Sequence, residues 1–335
     1  MTGLVLAVGV ALLFALTNGL HDAANSIAAL VATRAARPGP AVALATVGNV
    51  IGPLLLGTAV ANTLAGIVTL PPSQTVAVIG AGLTASVIWN TLTWRLGIPS
   101  SSGHALIGGL VGAALLEAGT GAVYWGGLDG FRPVGVIGVL LALAVAPLLG
   151  FLAGLVTEWL VRRSVRRATR EIRGPVRLGQ WVASGALAFG HGTNDAQKAI
   201  GLVAAVLLAE GKIGSLAAPL WVKLSCSAAL TIGTAFGGWP IVRTIGRRIF
   251  RIRPVDGLAS ETSSTAVILA SSIVGAPVST THVVASSVVG VGVGRARWRH
   301  VGWRVVRVML VAWVLTLPAC AVLSAILLVP WRWVT

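Results

Sequence analysis

The chain reads NGLHDAAN at residues 18–25 and GTNDAQK at residues 192–198, and each stretch lies inside a long apolar segment. Each places an aspartate, Asp22 or Asp195, among amide side chains and a glycine. An ionised carboxylate inside a lipid bilayer is costly and usually has a function. Two such carboxylates in corresponding halves of one chain predict a transport site that arose by duplication.

The composition is typical of a membrane protein. Of the 335 residues, 56% are hydrophobic and 10% are charged, and the mean hydropathy is +0.89. A soluble domain carries about 25% charged residues. Apolar runs of about 20 residues are too long for barrel strands, so we expect an all-α polytopic membrane protein. The net charge of +16 comes mainly from arginines between the apolar runs, which indicates topology and not nucleic-acid binding.

The apolar segments and the basic loops together predict a topology. Apolar segments are expected at residues 4–33, 41–64, 75–96, 98–118, 134–161, 181–208, 216–238, 256–275, 277–294 and 305–329. The loops richest in arginine are 34–37, 162–177, 243–253 and 295–304. Placing these loops in the cytoplasm puts both termini outside it. The segments of Asp22 and Asp195 then run in opposite directions, so the two copies are inverted.

A second pair of motifs repeats in the same order. PSSSGH at 99–104 matches PVSTTH at 277–282 with an offset of 178 residues, and the two aspartates are 173 residues apart. Similar offsets indicate two copies that differ by short insertions. We therefore expect four parts: a first repeat at 1–130, a connecting helix and basic loop at 131–180, an inverted repeat at 181–300 and a C-terminal helix at 301–335.

Two interpretations of the segments around the second motif stay open. Residues 75–118 and 256–294 form either two membrane spans each or one re-entrant helical hairpin each, with its tip at the repeated motif. Proline and clustered hydroxyl residues favour a tip. Arg95 favours two spans, unless it faces an anion or pairs with Glu261.

Each repeated PSSSGH-type motif is expected to begin a new helix. The first turn of a helix presents free N–H groups and a partial positive charge, and hydroxyl groups add donors beside them. Such a terminus binds oxyanions. The alternative is ordinary N-capping, but recurrence in both halves favours an anion site. The candidate anion-binding residues are Ser100, Ser101, Ser102, Ser279, Thr280 and Thr281.

The aspartates suit a cation, because an ionised carboxylate only accepts hydrogen bonds. We expect the glycines Gly19, Gly190 and Gly192 to break their helices and free carbonyl oxygens there. The alternative is a structural ion pair between an aspartate and an arginine. The candidate residues for coupling to H⁺ or Na⁺ are Asp22, Asn25, Asn194, Asp195, Lys198 and Glu261.

The two copies differ in their basic side chains. Lys198 occupies the place of Asn25, and its ammonium either substitutes for a bound cation or pairs with the anion. His21, His104 and His282 are candidates for a proton relay, since histidine exchanges protons near neutral pH. The alternative for these histidines is capping and packing within the helix bundle.

These four motifs resemble those of PiT, the inorganic phosphate transporter family, in the family's order over residues 10–300. The likeness is to short bacterial members, which lack a large cytoplasmic insertion. The resemblance implies inverted repeats, helical hairpins, a homodimer and symport of phosphate with H⁺ or Na⁺. Some members carry metal–phosphate complexes, and a few relatives carry sulfate. In the family pattern, asparagine stands at the position of His21. Sodium-dependent members of the family have an amide side chain at the position of Lys198. Both departures of this chain favour coupling to protons over coupling to sodium.

The sequence thus predicts a multi-pass secondary transporter of the cell inner membrane that imports phosphate by symport with protons. The six hydroxyl residues of the two motifs are expected to bind the phosphate. A permease for sulfate or another tetrahedral oxyanion, and a sodium-coupled phosphate symporter, are the alternatives. We expect no enzyme activity, no resident metal, no cofactor beyond the co-transported H⁺ or Na⁺, and no nucleic-acid partner.

Overall fold

The computed structural model describes residues 2–56, 58–130, 132–167, 170–295 and 298–335. This part of the chain contains one short antiparallel pair of strands, β1 (Gly127–Asp129) and β2 (Arg132–Val134). Its other regular elements are helical. The α-helices are α1 (Thr2–Ala32), α2 (Pro38–Leu55), α3 (Ala59–Ala65), α4 (Pro72–Leu96), α5 (Ser102–Ala118), α6 (Gly135–Ser164), α7 (Arg173–Ala209), α8 (Leu220–Ala235), α9 (Trp239–Arg243), α10 (Pro254–Ile273), α11 (Thr280–Gly294) and α12 (Trp303–Val334).

Several of these helices are long and apolar enough to cross a membrane. Among the described residues, five helices meet the criteria of length and apolar composition, namely α1, α2, α4, α6 and α12. A sixth span results if α8 and the segment Trp239–Ile249, which are bent by 57° at their junction, count as one. The exposed surfaces of α6 and α12 are rich in large apolar side chains such as Leu148 and Val314, as expected for contact with lipid. The predicted all-α polytopic fold is confirmed.

The four basic loops lie together at one end of the bundle, which we call the basic face. The chain termini lie at the opposite end, where a Cβ atom on Gly3 would be 2.8 Å from the Thr335 side chain. This grouping is the one that the predicted topology requires. The contacts that join the basic loops are Arg177 Nε to Ala35 O, Gly302 N to Ile249 O, Arg162 Nη1 to Gly294 O, and the ion pair between Arg295 and Asp256.

Helices α1 and α7 run antiparallel through the middle of the bundle and carry the two aspartate motifs. Their direction follows from contacts such as Thr33 Oγ1 to Gln180 Oε1, at 3.2 Å, which join the end of α1 to the start of α7. Both helices are continuous through the motifs. The expectation that Gly19, Gly190 and Gly192 break them is therefore wrong.

These glycines instead allow helices to pack closely. A Cβ atom on Gly19 would lie 2.0 Å from the Leu230 carbonyl oxygen of α8, and one on Gly192 would lie 2.5 Å from Asn49 Cα of α2. Only a residue without a side chain permits these separations, because real Cβ contacts are longer. Small residues at helix crossings are a usual feature of membrane bundles.

Two helical hairpins, α4–α5 and α10–α11, place their turns near the centre of the bundle. We call residues 97–104 tip 1 and residues 275–282 tip 2. Thr93 of α4 contacts His21, about 16 Å before the end of α1 at 1.5 Å per residue. Ala276 contacts Asn194, about 22 Å before the end of α7. Both turns therefore lie beside the middle of the central helices and not beyond their ends, which favours the re-entrant interpretation.

The two halves of the chain pack reciprocally. Helix α1 packs on α8 while α7 packs on α2, and α5 packs on α12 while α11 packs on α6. Hairpin α4–α5 lies against α1, and hairpin α10–α11 lies against α7 through α10. An inverted duplication predicts such exchange of partners. The duplication itself stays a prediction.

Gln197 of α7 holds the break between α2 and α3 in place. Its Oε1 atom accepts hydrogen bonds from the backbone N–H groups of Val60, at 2.9 Å, and Ala61, at 3.3 Å. Its Nε2 atom donates to the Leu56 carbonyl oxygen at 3.2 Å. These bonds supply partners that a helix start and a helix end otherwise lack. The break therefore has a defined geometry beside the central helices.

Candidate functional site

The two aspartates meet tip 2 at the buried centre of the bundle. Thr281 Oγ1 donates to Asp22 Oδ1 at 2.7 Å, and Thr280 Oγ1 donates to Asp195 Oδ2 at 3.0 Å. Both threonines lie in the first turn of α11, with Ser279 as the N-cap residue. Both threonine and both aspartate side chains are about 1% exposed. One helix start thus joins carboxylates from both halves of the chain.

Tip 1 contacts Asp22 from the other side. Ser102 Oγ donates to Asp22 Oδ2 at 3.2 Å, and His21 Nδ1 lies 2.8 Å from Asp22 Oδ1. The other ring nitrogen of His21 is 3.2 Å from both Ser100 Oγ and Thr93 Oγ1. A hydrogen-bonded chain therefore leads from tip 1 through the imidazole ring to the carboxylate. Thr93, a polar residue within the apolar segment 75–96, was not among the predicted site residues.

Asp195 has a basic partner on its own helix. The ammonium of Lys198, one turn further along α7, binds Asp195 Oδ1 directly. His191 Nδ1 lies 2.8 Å from Asp195 Oδ2. Lys198 is 1% exposed, and a Cβ atom on Gly103 at tip 1 would be 3.8 Å from its Nζ atom. The two halves therefore differ at this position: the Lys198 ammonium contacts the aspartate of the second half, and Asn25 stands at the corresponding position of the first.

The asparagines of the motifs have different environments. Asn25 Nδ2 donates to Thr280 Oγ1 at 3.2 Å and Thr281 Oγ1 at 3.1 Å, so it supports the link between the aspartates. Asn194 Nδ2 donates to Ser272 Oγ at 3.2 Å and thereby fixes α10 near tip 2. Asn18 is fully buried, and neither of its amide atoms has a hydrogen-bond partner in the described part of the chain.

Ser101 and Ser279 act as ordinary helix N-caps, which is the alternative that the sequence left open. Ser101 Oγ accepts from the backbone N–H of His104 at 3.1 Å, and Ser279 Oγ accepts from that of His282 at 3.3 Å. They are the N-caps of α5 and α11. The remaining hydroxyl residues at the tips bond to His21 or to the aspartates. The prediction that both motifs begin new helices is correct.

A comparison with protein families decides the identity of the chain. The profile described as "Phosphate transporter family" matches residues 18–324, which include both aspartate motifs and both tips. The chain belongs to the phosphate transporter family.

Relatives within this family are similar over almost the whole chain. A probable low-affinity inorganic phosphate transporter of Rhizobium meliloti is 42% identical over 324 residues, covering 96% of this chain and 95% of the relative. One of the same description from Bacillus subtilis is 38% identical, with the same coverage. Because these relatives are transporters, the prediction that the chain is not an enzyme is confirmed.

A solved structure supports the fold of this phosphate transporter family member. The structure described as "The sodium-dependent phosphate transporter" aligns with a TM-score of 0.89 and covers 100% of both chains at 23% sequence identity. The arrangement of helices is therefore one that is already known for a transporter.

The histidines of the two tips form a stack with a tryptophan. The His104 and His282 ring centroids are 4.9 Å apart, and His282 stacks on Trp313 of α12 at 3.7 Å. Trp313 Nε1 donates to the Pro99 carbonyl oxygen of tip 1 at 2.9 Å. Trp313 was not among the residues predicted from the sequence. The sequence offered one indication of its role: Trp313 lies ten residues inside α12, whereas interfacial tryptophans occur near helix ends.

Glu261 lies away from the buried site where the two aspartates meet tip 2. It sits in α10 about 18 Å along the helix before its end at Ile273, since an α-helix rises 1.5 Å per residue. It is 2% exposed and lies next to the Gln180 side chain and the Leu30 backbone, although neither contact meets hydrogen-bond geometry. The pairing of Glu261 with Arg95, one of the conditions under which Arg95 would fit a hairpin, does not occur, because Arg95 is exposed on α4.

Proposed function

We propose that this protein imports inorganic phosphate by symport with protons, and that Asp22 is the group that takes up the proton. The observation that carries the proposal is the pair of hydrogen bonds from Thr280 and Thr281 to the two aspartates. Each hydroxyl has one proton to donate. A phosphate oxygen at the start of α11 would need the same protons, so the anion and the carboxylates compete for them.

Protonation of Asp22 would resolve this competition. Its oxygens accept from Thr281 and Ser102, which belong to different hairpins. A neutral carboxyl group attracts these hydroxyls less than a carboxylate does, because charge-assisted hydrogen bonds are about twice as strong. The two hydroxyls can then turn to an anion, which the first turns of α5 and α11 also favour. Phosphate and proton therefore bind together or not at all.

Lys198 restricts the coupling to one half of the site. Asp22 and Asp195 contribute two negative charges and Lys198 one positive charge, so the centre carries one net negative charge with neutral histidines. One proton on Asp22 and one univalent phosphate leave that charge unchanged. The membrane potential, which costs about 2.3 kcal/mol per charge per 100 mV, then acts equally on the loaded and empty carrier. A divalent phosphate would need a second proton or a bound metal ion.

The whole molecule fits an alternating-access transporter. Residues 1–130 and 181–300 are the two inverted repeats, linked by 131–180 and followed by the C-terminal helix at 301–335. The basic face lies in the cytoplasm, as the positive-inside rule requires, with both termini outside. We propose the cell inner membrane as the location of the protein and a homodimer as its assembly, as the resemblance to the PiT family implies.

Sodium coupling is the second candidate. The structural neighbour favours it, because that protein is described as a sodium-dependent phosphate transporter. In this chain the Lys198 ammonium already binds Asp195, so at most Asp22 is open to a sodium ion. Sulfate is the alternative anion, because helix starts recognise tetrahedral oxyanions by charge and shape.

The substrate can be tested by uptake of labelled phosphate into proteoliposomes that contain the purified protein. A tenfold excess of unlabelled phosphate should remove most of the signal, whereas the same excess of sulfate should leave most of it. Equal competition by sulfate would instead establish a general oxyanion permease. Conductance without saturation would indicate a channel and would contradict the proposal.

A further inference from the structure

Trp313 contacts both hairpin tips with one side chain. Its indole N–H donates to the Pro99 carbonyl oxygen of tip 1 at 2.9 Å. Its ring stacks on His282 of tip 2 with centroids 3.7 Å apart and an interplanar angle of 27°. The residue is 8% exposed and lies about 15 Å along α12 from its start at the basic face. The two hairpins are thus tied together at Pro99, which also borders the basic-loop residues Arg248 and Arg304.

On the opposite side of the site, Thr63 Oγ1 donates to the Gly275 carbonyl oxygen of tip 2 at 2.9 Å, but no side chain of the described residues joins the two tips there. Pro277, which corresponds to Pro99 in the repeated motif, lines a cavity of about 600 Å³. The wall that α6 contributes to this cavity is apolar and includes Val139 and Ala142. Neither side chain can donate to a carbonyl oxygen. The contact of Trp313 with both tips therefore has no counterpart in this wall of the cavity.

A smaller cavity lies on the basic side of tip 1. It has a volume of about 280 Å³ and is lined by Pro99, Met309 and two arginines, Arg248 and Arg304. Met309 is about one turn before Trp313 on α12. A ligand that moved from the aspartates toward the basic face past tip 1 would pass Trp313 and reach these guanidinium groups, which attract anions.

We propose that Trp313 is a latch that closes the central site toward the basic face, and that its release opens the path to the arginine-lined cavity. The inference rests on the proposed function. An alternating-access transporter opens its central site to one side of the membrane at a time, and the inference assigns Trp313 to the closure on the basic side. The latch combines a hydrogen bond to tip 1 with ring stacking on tip 2, so movement of either hairpin relative to α12 breaks it. Trp313 is a positioning residue and makes no contact with the aspartates.

Accessibility of tip 1 tests the latch without measuring transport. Gly103, where an added Cβ atom would be 3.8 Å from Lys198 Nζ on the central side of the latch, is replaced by cysteine in a chain whose buried native cysteines are removed by Cys226→Ala and Cys320→Ala. A membrane-impermeant thiol reagent is then applied from the basic face. Trp313→Leu should raise the labelling rate by roughly tenfold, and Trp313→Phe, which keeps the stacking but loses the N–H donor, by a smaller factor.

Trp331 provides a matched control in the same helix. It is also 8% exposed, and its indole N–H donates to Thr84 Oγ1 at 3.1 Å, away from both tips. Trp331→Leu and Trp331→Phe should leave the labelling rate within about twofold of the parent chain. Equal increases for the Trp313 and Trp331 variants would overturn the proposal, as would an unchanged rate in Trp313→Phe and Trp313→Leu.

Phosphate uptake by the same variants separates this inference from the proposed function. If the parent chain transports no phosphate yet Trp313→Leu increases labelling, the latch stands and the assigned substrate fails. If the parent chain transports phosphate and labelling does not respond to Trp313, the transport proposal stands and the latch fails. Should Trp313→Leu not fold, Trp313→Phe decides the question.

Discussion

Thr280 and Thr281 are neighbours in the chain, but their hydroxyl groups bind two different aspartates, Asp195 at 3.0 Å and Asp22 at 2.7 Å. Consecutive residues at a helix start point in different directions, about 100° apart. One short segment of tip 2 can therefore contact α1 and α7 together. A change in the charge of either aspartate acts directly on the position of this tip.

Thr281→Val should lower phosphate uptake by removing the donor to Asp22 while keeping the shape of the side chain. Loss of one hydrogen bond to a charged group corresponds to about 1.5–3 kcal/mol, or roughly a tenfold to hundredfold loss in kcat/KM. Initial rates of labelled phosphate uptake measure the effect. Thr281→Ser retains the hydroxyl and should keep most of the activity. Equal loss in both variants would contradict a role for the hydrogen bond.

Lys198→Gln should make transport more dependent on external cations. The substitution leaves Asp195 as a second buried carboxylate without its ammonium partner. Breaking a buried ion pair costs about 3–5 kcal/mol, so the thermal stability of the detergent-solubilised protein should fall. Added sodium or lower pH should restore part of it. Lys212→Gln, in an exposed loop, serves as the control and should change neither property.

Gly233→Ala should destabilise the crossing of α8 over α1. A Cβ atom at this position would lie 1.9 Å from the Leu16 carbonyl oxygen, which belongs to the backbone and cannot rotate away. The expected cost is about 1–3 kcal/mol, measured as a lower unfolding temperature in detergent. Gly9→Ala in α1 has open space within 4 Å and should be neutral or slightly stabilising. Similar unfolding temperatures for the two variants would argue against close packing.

Gln197→Leu should loosen the break between α2 and α3. The substitution removes the acceptor for the N–H groups of Val60 and Ala61 and leaves them buried without a partner. Each such loss costs about 1–3 kcal/mol. Hydrogen exchange followed by mass spectrometry should show faster exchange at residues 59–61, with α8 as the internal control. Unchanged exchange at this break would show that Gln197 does not hold it.

Local chemistry explains which features could be predicted from sequence. The N-caps at Ser101 and Ser279 and the helix starts that follow them depend on residues within one turn. The grouping of the arginine-rich loops at one face depends on hydropathy and loop charge, which are also read along the chain. Repetition of both motifs indicated that distant segments serve one site.

Features that depend on contacts between distant segments could not be predicted in the same way. Gly19 was expected to break α1, but its role is set by the backbone of α8, more than 200 residues away in the chain. Glu261 was placed at the site on the basis of its residue type, although its distance along α10 keeps it apart. Trp313 joins two tips through a tertiary contact, and the sequence indicated only that this tryptophan lies inside α12 and not at its end.

Phosphate accumulation driven by a proton gradient at Asp22 is the most direct test of the proposed coupling. Proteoliposomes free of sodium are given an inward proton gradient, and labelled phosphate uptake is compared between the parent chain and Asp22→Asn, with phosphate exchange measured in parallel. We expect the parent chain to accumulate phosphate, and Asp22→Asn to exchange phosphate without accumulating it. Accumulation by Asp22→Asn equal to that of the parent, or accumulation by the parent only when a sodium gradient is present, would contradict proton coupling at Asp22.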